Sequence, residues 1–175
     1  MKFKLKKQLV HYLIALICLT GIAYFSSQPF SEQDLRPALE QHQKVMRGVR
    51  ELPEIKFHYG SQRVNSREDP ADFIQFWIRK GAHVLSYGIL GLSLAAILSV
   101  KGLTGAKKIL SASVLIVLVA LADEWHQTFV PGRTGRAIDV ALDLAGFLIL
   151  AFIAWLGKQI TKFVQHKAYR NSTIS

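Results

Sequence analysis

One cysteine, Cys18, stands in 175 residues, which excludes both an internal disulfide framework and a cysteine-based zinc site. Charge is also missing where a small soluble helical protein needs it. Residues 9–25, 82–100, 109–130 and 138–156 form apolar runs, and none carries the charged face, renewed every turn or two, of a soluble bundle helix. Acid is missing too: residues 1–8, 101–108 and 157–175 contain no Asp or Glu. The length excludes a multidomain enzyme. A net charge of +10 points to nucleic acid or to an anionic membrane. So much uninterrupted apolar sequence argues against the first, and no nucleic-acid partner is expected.

The run LVHYLIALICLTGIAYF (9–25) has 17 residues without acid, Lys or Arg, at the lower limit of about 17 for a spanning helix. With the other three it defines an all-α, polytopic membrane protein: a single domain, 1–175, with four transmembrane helices. The alternative for the first run is a signal peptide. It is long for an apolar signal core, and Tyr24 and Phe25 spoil the small residues that cleavage prefers, so a retained anchor is expected. Cys18 then reads as a small apolar residue in mid-span. Lys2, Lys4, Lys6 and Lys7 precede the first span; Lys101, Lys107 and Lys108 separate the second and third; Lys158, Lys162, Lys167 and Arg170 follow the fourth. By the positive-inside rule these segments, and both termini, are cytoplasmic. Residues 28–81 then form one long extracytoplasmic loop.

Within that loop Leu35, Ala38, Leu39, Val45, Met46, Val49 and Leu52 recur at helical spacing, with Ser31 and Asp34 suited to an N-terminal cap. Arg36, Lys44, Arg47 and Arg50 occupy the opposite face. The segment suits either a helix lying on the outer leaflet or a lid packed over the bundle. After Pro53, alternation at Ile55, Phe57 and Tyr59 suggests a loop with a short hairpin arm. Asp69 and Pro70 match N-cap and N1 of a further helix that carries Phe73, Ile74, Phe76 and Trp77 and runs into the second span.

Polar residues gather at one end of three spans. Lys80, His83 and Tyr87 fall at i, i+3 and i+7, with Gly91 on the same stripe. In ADEWHQTFVPGR, about 100° per residue turns Asp123, His126 and Gln127 toward the bundle and Trp125 toward lipid, with Glu124 at the edge of the polar face. Pro131 and Gly132 end that helix. Arg133 and Arg136 follow, either pairing with Asp123, Glu124 and Asp139 as a staple or forming an anion clamp through their forked guanidinium groups. Asp139, Asp143 and Gly146 share a face of the fourth span. Asp143 lies about 6 Å deeper than Asp139, so it faces protein or a wet cavity, and Gly146 allows close helix approach. The expected ligand-binding set is Lys80, His83, Tyr87, Asp123, Glu124, Gln127, Arg133, Arg136, Asp139 and Asp143, all on the extracytoplasmic side. Candidates for acid/base chemistry are His83, Asp123, Glu124 and His126.

These motifs resemble the VanZ-like family of small bacterial membrane proteins. The matching stretches are YFSSQP (24–29), the Lys-x-x-His-x-x-x-Tyr pattern from Lys80 to Tyr87 continuing through GILG, and DEWHQTFVPGRTGRAIDVALDLAG (123–146). Many family members carry Asn where this chain has Asp143. The resemblance implies an integral protein of the bacterial cytoplasmic membrane and, for some members, low-level resistance to the glycopeptide teicoplanin. It brings no reaction mechanism. Two functions remain: recognition of membrane lipids, specifically an anionic lipid or cell-wall precursor, or an enzyme acting on a lipid-linked envelope substrate by acid/base chemistry. No Ser or Cys nucleophile stands beside a base in the polar mouth, Ser86 lying off its stripe, which favours recognition over covalent transfer. His83, His126, Asp123, Glu124 and Asp139 are the residues that a metal would need, but no compact ligand spacing joins them. No metal and no cofactor are expected. Transport is the weakest reading, since four short helices without a repeat leave little room for alternating access.

Overall fold

A computed structural model describes residues 2–172. Four long helices dominate it: α1 (Lys2–Ser27), α4 (Pro70–Val100), α5 (Gly105–Gln127) and α6 (Ala137–Ser172). Each contains a stretch long and apolar enough to cross a membrane. Their outward faces are apolar as well: Leu13, Leu16 and Ile17 on α1, Val114, Leu118 and Leu121 on α5, and Ile149, Phe152 and Ile153 on α6 are exposed. An apolar surface of that extent needs lipid rather than water around it. Of the basic residues expected to face the cytoplasm, the side chains of Lys2, Lys4, Lys7, Lys167 and Arg170 lie outside the described residues.

α4 is central and packs against each of the other three helices. It begins at Pro70, as the Asp69-Pro70 pair predicts: the Asp69 carboxylate accepts the Asp72 N–H at 2.8 Å. α4 then runs unbroken from the long connection into the second span. α5 starts at Gly105 and stops at Gln127, three residues short of the expected 130, where Pro131 and Gly132 force a turn. α6 continues past residue 156 through its basic tail. The core is Tyr87, Leu90, Ala95, Ala112, Ile116, Ala120, Val140 and Phe147. Gly146 sets the α4–α6 crossing, since a Cβ there would come within 2.6 Å of the Val84 carbonyl oxygen. That approach sets the first turn of α6 beside the third turn of α4, where Lys80 meets Asp139.

The connection between α1 and α4 is not one amphipathic helix. After a 3₁₀ turn (Phe30–Gln33), it forms α2 (Arg36–Glu40) and α3 (Gln43–Glu51), with the break at Gln41 and His42. Ser31 sits in the turn, and Asp34 makes the local contact alone, accepting the Arg36 N–H at 3.1 Å and pairing with its guanidinium at 2.7 Å. That pairing holds the Asp34 carboxyl down to about 2. Met46 is buried while Val45 and Leu52 stay exposed, so only part of the apolar stripe turns inward.

The chain also contains a two-stranded sheet, an addition to the all-α expectation. β1 (Lys56–Tyr59) pairs antiparallel with β2 (Gln62–Asn65), Tyr59 opposite Gln62. Gly60, at φ 60°, supplies the first central residue of the two-residue turn. Val64 is fully buried against Phe73 and Phe76, which seats the hairpin on the start of α4.

Candidate functional site

The ends of α1 and α5 and the starts of α4 and α6 meet under the hairpin, and here the polar residues gather. Lys80 Nζ lies 2.5 Å from Asp139 Oδ1, with both side chains about nine-tenths buried. The Tyr59 hydroxyl donates to the same carboxylate oxygen. Its ring lies 4.4 Å from the Lys80 ammonium, adding a cation–π contact. Burial first, and the Asp139 carboxylate second, raise the Tyr59 phenol well above its ordinary value, so it stays a donor. One turn deeper, His83 Nδ1 is 3.2 Å from Asp143 Oδ1, and Asp143 is wholly buried. The His83 ring stacks near-parallel on Tyr87.

From α5, Asp123 accepts the Gln127 amide at 3.0 Å, and Glu124 accepts the Arg136 backbone N–H at 2.6 Å. The second contact needs Gly135, because a Cβ there would collide with the Glu124 carbonyl. Asp123, Glu124 and Gln127 are all buried. His126 is exposed, so the expectation that it joins Asp123 and Gln127 in facing the bundle is corrected. Ala112, Ile116 and Ala120 form the buried stripe of α5, and its continuation falls on Asp123, Glu124 and Gln127. The polar arc is thus centred roughly 60° away from where residues 123–127 alone put it, at about 100° per residue. Trp125 and Phe129 point outward, as expected of Trp125.

The staple reading of Arg133 is corrected in its partners. Its guanidinium donates to the Phe25 carbonyl at 3.0 Å, the Gln28 carbonyl at 3.3 Å and the Gln33 side chain. It therefore holds the C-terminal end of α1, whose last carbonyls have no partner within the helix. Burial lowers its pKa, though a guanidinium stays charged. Arg136 reaches Gln62 Oε1 at 3.1 Å and Thr134. Arg79 lies over the Phe30 ring at 5.3 Å. Among the described residues, none of these three arginines forms a salt bridge with a carboxylate.

The arginines surround a cavity of about 190 Å³ whose walls include Gln75, Lys80, His83, Gln127 and Asp139. A second, mainly apolar cleft of about 360 Å³ runs between α1 and α4, lined by Ile17, Cys18, Ile22, Phe25 and Ile89. Arg79, His83 and Arg133 border both. Of the ten expected ligand-binding residues, Lys80, His83, Gln127, Arg133, Arg136 and Asp139 line the polar cavity; Tyr87 lines the cleft; Asp123 lines a recess between α1 and α5 that His126 also borders; and Glu124 and Asp143 are buried outside these linings. Sequence reasoning missed Tyr59, Gln62, Gln75 and Arg79. The aromatic alternation ending at Tyr59-Gly60 was a usable sign of the hairpin; the landing place of its tip was not.

No curated protein and no solved structure matches the chain. The VanZ/LLP1 family model matches residues 9–158, a span that includes every wall residue of both cavities. The chain belongs to the VanZ/LLP1 family.

Proposed function

We propose that this protein binds an anionic amphiphile from the surrounding membrane, an anionic lipid or a lipid-linked cell-envelope precursor. The headgroup occupies the arginine-lined cavity, and a hydrocarbon chain occupies the cleft between α1 and α4. The observation that carries this reading is the shared border of the two spaces. Three guanidinium groups without carboxylate partners among the described residues face the polar one, and apolar side chains line most of the other. Guanidinium matches phosphate and carboxylate oxygens in geometry as well as charge. On the orientation inferred from the basic residues, the mouth opens at the outer leaflet of the bacterial cytoplasmic membrane. A role in teicoplanin tolerance follows if the headgroup is that of a wall precursor.

Mass spectrometry of lipids retained by the protein in native nanodiscs tests the reading. Anionic species are expected to be enriched over the bulk membrane, and Arg79→Gln with Arg136→Gln is expected to remove the enrichment. Retained lipid that mirrors the bulk in both proteins would overturn it.

One observation favours a second reading, a membrane enzyme acting on a lipid-linked envelope substrate. His83, oriented by Asp143, stands at the cavity wall, an arrangement suited to general acid/base work. Release of headgroup from a lipid-linked phosphate by purified protein, lost in His83→Gln, is its test.

A further inference from the structure

The floor of the site has more negative charge than its surroundings answer. Asp123, Glu124, Asp139 and Asp143 are buried, and Lys80, the one buried lysine among the described residues, is engaged by Asp139. Buried carboxylates stay ionised only when paired or bound to a metal. Three potential ligand atoms, one each from His83, Asp123 and Glu124, lie within 4.8 Å of one another. Three buried oxygens of this region have no hydrogen-bond partner among the described residues: Glu124 Oε1, Asp143 Oδ2 and the Tyr87 hydroxyl. Glu124, Asp143 and Tyr87 are each more than nine-tenths buried. A bare buried oxygen beside a histidine and a second acid is a donor set that a cation would satisfy.

Each of the three candidates is also held from behind. His83 Nδ1 meets Asp143, leaving Nε2; Asp123 takes the Gln127 amide on Oδ2, leaving Oδ1; Glu124 takes the Arg136 N–H on Oε2, leaving Oε1. A carboxylate behind a ligating histidine, fixing tautomer and orientation, is the usual support of a metal-bound imidazole. We infer that His83, Asp123 and Glu124 bind one divalent transition-metal ion, with Asp143 positioning His83 and a fourth coordination place left for water or a phosphate oxygen.

One nitrogen and two oxygen donors suit Zn²⁺ or Mn²⁺. Bonds of about 2.1 Å place tetrahedral ligands about 3.4 Å apart, so the three side chains close inward on binding. The metal also resolves a conflict within the cavity. An anionic headgroup attracted by Arg79, Arg133 and Arg136 would otherwise meet unbalanced carboxylates below it. That role rests on the proposed binding of an anionic amphiphile; the metal site itself does not.

The full chain, purified in detergent and stripped with chelator, is titrated with Zn²⁺, Mn²⁺ and, for its visible spectrum, Co²⁺. One ion per chain with micromolar or tighter affinity is expected, with a Co²⁺ spectrum of four- or five-coordination. His83→Ala and Glu124→Gln are each expected to weaken binding at least 100-fold. Asp143→Leu, which removes only the support of His83, is expected to weaken it 10- to 100-fold, and Trp125→Ala, on the outward face, to leave it unchanged. No stoichiometric binding by the wild-type chain, or equal binding by the His83 and Glu124 variants, would overturn the site. If the variants do not fold, the wild-type Co²⁺ spectrum decides, an octahedral aquo-ion spectrum counting against it. Lipid retention by the metal-free chain separates this outcome from that of the amphiphile reading: enriched anionic lipid without metal binding removes the site alone.

Discussion

The two ends of the bundle treat charge in opposite ways. At the mouth, Asp123, Glu124, Asp139, Asp143 and Lys80 are buried, each in contact with a particular polar group. At the other end Lys101, Lys107 and Lys158 are exposed, and among the described residues they form no salt bridge. A lysine in the open is solvated whatever its exact place, so its sign is all that matters. A buried carboxylate costs several kcal/mol unless its partner stands at the right distance, so at the mouth position matters as much as sign.

The sharpest way to break this contrast is to leave one mouth charge alone. Lys80→Met strands Asp139 with only Tyr59, and a loss of about 3–5 kcal/mol is expected for a broken buried pair. Thermal unfolding in detergent should show it, and adding Asp139→Asn should recover part of the loss. Gly146→Val attacks spacing instead of charge. Pushing α6 off Val84 is expected to cost about 1–3 kcal/mol and to weaken the His83–Asp143 contact, visible as altered imidazole resonances.

Arg133→Ala removes donors from the end of α1. A loss of about 1.5–3 kcal/mol is expected for hydrogen bonds to a charged group, read as less folded protein in membranes. Arg133→Lys should recover little, since an ammonium does not span the three acceptors in the same plane. Asp143→Asn should change stability by less than about 1 kcal/mol, because the amide oxygen still accepts from His83 Nδ1–H. Unfolding midpoints that match wild type after Asp143→Leu would show that this pair does not organise the mouth. The smallest effect belongs to the open end: Lys101→Gln with Lys107→Gln should stay within about 0.5 kcal/mol. Reporter fusions at the C-terminus test orientation there, and activity outside the cytoplasm would reverse the leaflet assigned to the mouth.

Much of the site was legible because intramembrane polarity is scarce. Lys80, His83 and Tyr87 stand on one stripe, and Asp139 and Asp143 on another, which helical period shows; that Lys80 meets Asp139 and His83 meets Asp143 only the packing shows. The case of α5 shows the limit. Five consecutive residues, 123–127, contain four polar ones, and a local wheel cannot choose which arc faces inward. Small residues three turns and one turn earlier, Ala112 and Ala120, already marked the close-packed face. Arg133 shows a different limit. Its side chain ignores the nearby acids for the carbonyls of Phe25 and Gln28, a choice that depends on where α1 ends in space.

Residue order by itself determined that four apolar helices are joined by one long and two short connections, because transfer of each run from water depends on composition and length, not on neighbours. It also determined which residues are costly to bury and on which turn of which helix they stand. The tertiary structure alone decided that His83 joins Asp123 and Glu124 while His126 does not, that the hairpin reaches Asp139 through Tyr59, and that the arginines face a cavity without acid partners among the described residues. Those outcomes depend on helix rotation and on the α4–α6 approach at Gly146, which are set by packing between segments distant in sequence, where local periodicity carries no information.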